Sequence, residues 1–249
     1  MDILYGINPV VEAAKSQRRS IDYVAIARER ADRRVQQVID ACRAAGISVR
    51  FVPREELNRL AATANHQGVV AVGRSKRYDD LDDILARRRG EYTFLVLLDG
   101  VEDPHNLGAI IRTAESAGAD GIVIPERRSA NVTGTVAKAS AGASESLPIA
   151  RVTNMARTIE QLKERNVWVV GLDERGEQTY DQVDYKMNCA LVLGAEGHGL
   201  HELVRKKCDF LVSIPMLGSV PSLNVSVAAG VVLYEIVRQR RQSANPKAK

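Results

Sequence analysis

The sequence predicts an α/β protein in which a parallel-sheet domain follows a smaller α/β domain. Two observations carry this. From Tyr92 onward, FLVLLDG (94–100), GIVIP (121–125), VWVVGLD (167–173), CALVLG (189–194) and DFLVSIP (209–215) are short, nearly continuous apolar runs separated by helical stretches. Strands apolar on both faces belong to a parallel sheet covered by helices on both sides. Before Arg74 the same alternation runs with shorter and more polar elements.

Taken in order, INPVVEAAKS opens a helix with Asn8 as its cap and Pro9 in the first helical position. IDYVAIA (21–27) reads as a strand. DRRVQQVIDACRAAG (32–46) puts Val35, Val38, Ile39 and Cys42 on one helical face and stops at Gly46. ISVRFV is a second strand, REELNRLA a short helix and GVVAVG (68–73) a third strand. This first domain spans residues 1–74. Residues 75–91, with Asp79, Asp80, Asp82 and Asp83 ahead of Arg87–Arg89, read as a charged linker with a short helical turn. The second domain takes residues 92–249, with helices over 107–117, 153–165 and 224–240 between its strands.

Hydrophobic residues make up 45% of the 249, enough for real cores. No apolar run reaches the roughly 18 residues of a membrane span, and MDILYGINPV lacks the basic lead and apolar stretch of a signal peptide. Cys42, Cys189 and Cys208 are few, odd in number and far apart, which argues against a disulfide framework or zinc site and fits a reducing cytoplasm. Net charge is +4 and pI about 9.0, with clusters at Arg18-Arg19, Arg28–Arg34, Arg87–Arg89, Arg127-Arg128, Arg205–Lys207 and Arg238–Arg241. A polyanion partner and solvated helix faces both account for such clusters.

Ligands of parallel sheets gather at the carboxyl ends of the strands. Three polar, glycine-bearing segments fall there: 99–108, 194–199 and 215–226. In the first, Asn106 fits either a helix cap or a polar ligand group. Arg112, among Ile110, Ile111, Ala114 and Ala117, is expected to need a carboxylate or phosphate, because a buried unpaired charge costs several kcal/mol. In the second, Gly194, Gly197 and Gly199 let the backbone bend sharply around Glu196. Its GxxGxG spacing differs from a dinucleotide loop, which sets a nicotinamide dehydrogenase aside. In the third, Ser219, Ser222, Asn224 and Ser226 crowd the start of an apolar helix expected to be buried. That is more polar chemistry than a cap uses, and a bound polar ligand would supply the remaining partners.

Together, Asn-x-Gly-x-x-x-Arg (Asn106, Gly108, Arg112), Leu-Gly-x-Glu-Gly-x-Gly (Leu193–Gly199) and Ile-Pro-Met…Ser-Leu-Asn-Val-Ser-x-Ala (Ile214–Ala228) resemble the SpoU (TrmH-type) family of the SPOUT class. The start YGINPVVEAA resembles the substrate-binding domain of bacterial 23S rRNA guanosine 2′-O-methyltransferases. The resemblance implies a knotted parallel-sheet domain, closed by a deep trefoil knot, with S-adenosylmethionine as cofactor and no metal. It implies cofactor contacts from Leu172, Gly194, Gly197, Ile214, Met216 and Leu223, and a catalytic zone of Arg112 with Asn106, Glu196, Ser222 and Asn224. It further implies a cytoplasmic homodimer acting on a guanosine of 23S rRNA, in the peptidyl-transferase loop region, either as free RNA or within a large-subunit assembly intermediate, with no membrane partner.

On that basis a ribose 2′-oxygen is expected to attack a sulfonium methyl in line. A guanidinium, with its pKa above about 12, is a poor base. Arg112 therefore reads as a clamp on the neighbouring phosphate and a stabiliser of developing alkoxide charge, with Glu196 orienting either Arg112 or Asn106. The first domain is expected to supply RNA affinity through Arg18, Arg19, Arg33 and Arg34, with Tyr5, Asn8 and His66 as further contacts or as core and capping residues. Two other readings keep the fold: the same reaction on tRNA, and an RNA-binding protein without catalysis.

Overall fold

The computed structural model describes residues 2–30 and 32–244. Its elements begin β1 (Asp2–Tyr5), α1 (Ile7–Ser16), β2 (Ile21–Ala27), α2 (Arg33–Ala44), β3 (Ser48–Val52), α3 (Arg54–Ala61), β4 (Val69–Gly73) and α4 (Leu81–Ala86). They continue with β5 (Phe94–Asp99), α5 (Pro104–Ser116), β6 (Gly121–Pro125), α6 (Gly134–Ala139), α7 (Ala143–Ser146), β7 (Ile149–Val152) and α8 (Met155–Glu164). The last are β8 (Trp168–Leu172), β9 (Gln178–Thr179), β10 (Cys189–Gly194), α9 (Glu202–Lys207), β11 (Phe210–Ser213) and α10 (Val225–Ala244). The chain divides into two compact units, Met1–Arg77 with Asn131–Ser146, and Tyr78–Ala130 with Leu147–Lys249.

The first unit carries a four-stranded sheet in the order β1-β4-β2-β3, with β4 antiparallel to both neighbours and β2 parallel to β3. Helix α2 forms as its sequence dictates. The Asp32 side chain accepts from the Arg34 and Val35 amides at 2.9 and 3.0 Å, and Val35, Val38 and Cys42 are buried on one face. Strand β1, which the sequence reading does not contain, pairs its whole length with β4. Helix α1 begins at Ile7, after Gly6 at φ 101°, and has no side-chain cap, so Asn8 lies exposed in the first turn instead of capping it.

Residues 131–146, read from sequence as part of the second domain, pack on this first unit. Gly134 lies so close to β1 that a Cβ there would sit 2.5 Å from the Ile3 carbonyl oxygen. Arg19 is buried rather than presented to RNA. Its Nε donates to Glu145 Oε2 at 3.0 Å and its Nη2 to Oε1 at 3.1 Å, and Nη1 pairs with Asp2. Tyr5 shares a 3.2 Å hydrogen bond with the Thr135 hydroxyl, and Lys138 sits over its ring.

His66 is also buried. Its Nδ1 accepts from the Gly68 amide at 3.0 Å and its Nε2 lies 2.8 Å from Asn58 Oδ1, an arrangement that fixes the neutral ring. Burial, with smaller contributions from Arg54, Lys138 and Arg30, holds its pKa below the usual imidazole value of 6.5. The unfolded chain therefore binds the proton more readily, and stability is expected to fall as pH drops below about 6.5. Thermal melts between pH 7.5 and 5 check this, and His66→Asn should flatten the profile.

The second unit is a seven-stranded sheet in the order β7-β6-β5-β10-β8-β11-β9, every adjacent pair parallel. β5 and β10 are buried along their whole length, as their unbroken apolar runs require. The segment read as a linker joins this unit from Tyr78 onward. The Asp79 amide donates to the Ile149 carbonyl at 2.8 Å, the Ile149 amide to Asp79 Oδ2 at 3.0 Å, and Ile84 enters the core. Helix α10 is not wholly buried: Val232, Leu233 and Ile236 face the core, while Val227 and Tyr234 are 52% and 51% exposed. At its far end Arg240 donates to the carbonyls of Tyr185 and Met187 at 3.1 and 2.8 Å, so this basic residue serves the fold. Burial pushes the thiols of Cys42 and Cys189 up to about 11 and that of Cys208 up to about 12, which keeps them protonated and unreactive. Among the described residues, no helix is long and apolar enough to cross a membrane.

Candidate active site

Strands β5, β10, β8 and β11 are neighbours, and their carboxyl ends bring together segments far apart in sequence. Gly194 stands in register with Asp99, and Leu193 with Leu172. At the end of β10 the chain turns back on itself. Ala195 and Gly199 exchange two 3.0 Å backbone hydrogen bonds, and Gly197 and Gly199 take φ of 80° and 64°. Gly194 is required for a different reason. A Cβ there would lie 2.2 Å from the carbonyl carbon of Gly199 and 2.5 Å from the amide nitrogen of Leu200.

This turn forms one wall of a cleft of about 410 Å³, within the range of about 300–1,000 Å³ usual for small-molecule sites. Leu172, Gly194, Gly197, Ile214, Met216 and Leu223 all line it, joined by Glu196 and Ser222. Every residue expected from sequence to hold the cofactor thus borders a single cavity. Sequence reasoning missed Asp173 and Arg175, which line it too. The Arg175 guanidinium grips the buried Asp173 carboxylate at 2.8 and 2.9 Å and holds it below the usual carboxylate range. The Asp-Glu-Arg stretch directly after β8 was the available signal.

Beside the cleft, three side chains from three segments form a closed hydrogen-bonded set. Asn106 Nδ2 donates to Glu196 Oε2 at 3.0 Å. Asn224 Nδ2 donates to Asn106 Oδ1 at 3.0 Å and to Glu196 Oε1 at 3.4 Å. Asn224 Oδ1 accepts from the Ser226 amide and hydroxyl at 2.9 and 2.6 Å, which makes it the cap of α10. Asn106 is free for this role because Asp103 caps α5, accepting from the Asn106 amide at 2.9 Å, with Pro104 in the first turn. The polar residues at 219–224 are exposed, in contrast to the buried helix start expected from sequence.

Arg112 departs most from its sequence reading. It is exposed on α5 and, among the described residues, makes no hydrogen bond or ion pair, so its charge is met by solvent. Helix α5 is apolar on the face that carries Leu107, Ile110, Ile111 and Ala114, and Arg112 points away from that face. In the first unit Arg33, Arg34 and Asn8 are exposed and Arg18 half-buried, while Arg19 and His66 are committed to the core and Tyr5 to α6.

Residues 93–234 match the SpoU rRNA Methylase family, and residues 3–79 match the RNA 2′-O ribose methyltransferase substrate-binding family. The 23S rRNA (guanosine-2′-O-)-methyltransferase RlmB of Ralstonia nicotianae is 46% identical over 96% of this chain and 96% of its own. The Escherichia coli K12 protein of the same name is 42% identical over 96% of this chain and 99% of its own. Among solved structures, the SpoU methyltransferase AviRb from Streptomyces viridochromogenes in complex with AdoMet superposes with a TM-score of 0.81 at 28% identity, covering 96% of this chain and 90% of that one.

Proposed function

The chain belongs to the SpoU rRNA methylase family, and from that premise we propose that it transfers a methyl group from S-adenosylmethionine to the ribose 2′-hydroxyl of a guanosine in 23S rRNA, in the cytoplasm. The observation that carries this reading is the convergence of the 194–199 and 214–224 segments on one cleft, with Asn106, Glu196 and Asn224 bonded beside it. The relatives named RlmB support the rRNA substrate. The substrate-binding family match over residues 3–79 supports an RNA-binding role for the first unit.

The cleft residues fit the cofactor. Leu172, Ile214 and Leu223 offer apolar surface, Gly194 brings backbone to the wall, and the Glu196 carboxylate in the lining would complement the cofactor's cationic sulfonium. When bound, the cofactor supplies an electrophilic methyl for in-line displacement by the ribose oxygen. This chain's own part is to align that oxygen. Asn106 and Asn224 fix the Glu196 carboxylate, Ser222 adds a hydroxyl to the cleft wall, and exposed Arg112 is available to clamp the adjoining phosphate and offset alkoxide charge. The family's fold further implies that the segment ending in α10 threads a trefoil knot.

Hydrogen bonds to a charged group contribute about 1.5–3 kcal/mol each, and each 1.4 kcal/mol is tenfold in rate. Glu196→Ala is therefore expected to lower kcat/KM about 10- to 100-fold, with melting temperature nearly unchanged. Mapping 2′-O-methylation in rRNA from cells lacking the gene, then restoring it with purified protein and S-adenosylmethionine, tests the whole reading. Cofactor binding without transfer to rRNA would favour a non-catalytic RNA-binding role, and transfer to tRNA alone would replace the substrate.

Exposed Val227 and Tyr234 lie seven residues apart on α10 and so share one face, with exposed Leu223 just ahead of the helix. This apolar stripe supports a homodimer through the second unit. Light scattering should give twice the chain mass, and Val227→Asp with Tyr234→Glu should shift it to one.

A further inference from the structure

The Ala195–Gly199 turn has a second side. There, a smaller cleft of about 250 Å³ is lined by Gly100, Glu102, Arg128, His198 and His201 together with Ala195 and Gly199 of the turn itself. The two clefts therefore share one wall and lie one turn of chain apart. We propose that this second cleft receives the base of the target nucleotide and selects guanine. In it, Arg128 donates to O6 and N7, and Glu102 accepts from N1–H and the 2-amino group. The proposal rests on the methyltransferase reading and deepens it.

The cleft is built to a definite shape. Gly100, at φ 91°, brings the chain so close that a Cβ would sit 3.3 Å from both Ala195 Cβ and His201 Cε1. The buried Asp99 carboxylate accepts from the His201 amide at 2.8 Å and lies 3.0 Å from His201 Nδ1, which fixes that ring as a wall. Flat rings of this kind suit an unstacked base.

Glu102 and Arg128 are left without work in the fold. Both are exposed, and neither side chain makes a hydrogen bond or ion pair among the described residues. Arg128 also holds φ 58°, the left-handed region that an arginine adopts only at a cost, and such outliers cluster at functional positions. A carboxylate and a guanidinium lining one small cleft do not suit a phosphate, which Glu102 would repel. They suit guanine, whose N1–H and 2-amino donors lie beside the O6 and N7 acceptors read by arginine. Adenine offers an acceptor at N1 and is rejected by the same carboxylate.

The test uses the full-length protein and an rRNA hairpin containing the mapped target guanosine. Parallel hairpins carry 7-deazaguanosine, which lacks N7, inosine, which lacks the 2-amino group, or adenosine. Wild type is expected to prefer guanosine over each. Arg128→Ala should lower kcat/KM about 10- to 100-fold and erase discrimination against 7-deazaguanosine, while Glu102→Ala should erase discrimination against inosine. S-adenosylmethionine affinity, measured by calorimetry, should stay at the wild-type value in both variants. Discrimination ratios equal to wild type in both variants would overturn the proposal and leave the methyltransferase reading standing. A wild-type protein that binds no S-adenosylmethionine and methylates no guanosine would remove that reading and the proposal with it.

Discussion

Gly194→Ala is expected to lose S-adenosylmethionine binding and methyl transfer below detection. The added methyl would lie 2.2 Å from the Gly199 carbonyl carbon, 2.3 Å from its oxygen and 2.5 Å from the Leu200 nitrogen. All three are backbone atoms, so no side-chain rotation makes room, and the 195–199 turn must move as a body. That turn is a wall of the cleft proposed for the cofactor and carries Glu196 to Asn106 and Asn224. Gly197→Ala is the informative contrast. Its Cβ meets nothing within 4 Å, and only φ 80° opposes it, a cost of roughly 1–2 kcal/mol. Calorimetric titration with the cofactor and thermal melts on both variants measure the ordering. A Gly194→Ala protein that binds cofactor within a few-fold of wild type would remove the turn's backbone from the site.

How much of this was legible in the sequence follows from which interactions are local. The strands of the second unit announce themselves because both their faces are buried, so β5 and β10 read as unbroken apolar runs. The cleft was legible through its motifs, since close backbone approach demands glycine and leaves it at fixed spacing. Caps were less legible where several candidates crowd together. Asp103, not Asn106, caps α5, and Asn224 alone caps α10 while Ser222 faces the cleft. Burial of single charges was least legible. Arg112 sits in an apolar helix yet on its exposed side, a matter of which face turns outward, and six residues past Asn106 is no simple helical repeat.

The assignment of residues 131–146 to the first unit had no local signal either. NVTGTVAKASAGASES has short, small-residue helices whose partners are β1 and α1, more than a hundred residues earlier. Small residues permit that docking: a Cβ at Gly142 would sit 2.9 Å from the Asn8 carbonyl oxygen. Arg19, whose cluster with Arg18 read as a phosphate contact, faces into this junction. Sequence shows the charge but not the carboxylate waiting for it at Glu145.

That pair sets the largest expected effect on stability. Arg19 and Glu145 form a two-pronged contact at 3.0 and 3.1 Å, with side chains 2% and 0% exposed. Arg19→Met leaves the Glu145 carboxylate buried without its countercharge, and breaking such a pair costs about 3–5 kcal/mol. Removing both charges with Arg19→Met and Glu145→Leu should restore much of the loss, because the desolvation cost disappears with the charges. Urea unfolding of the two variants reads the loss in the single variant and its recovery in the double. An Arg19→Met protein as stable as wild type but weaker in RNA binding would return Arg19 to the surface.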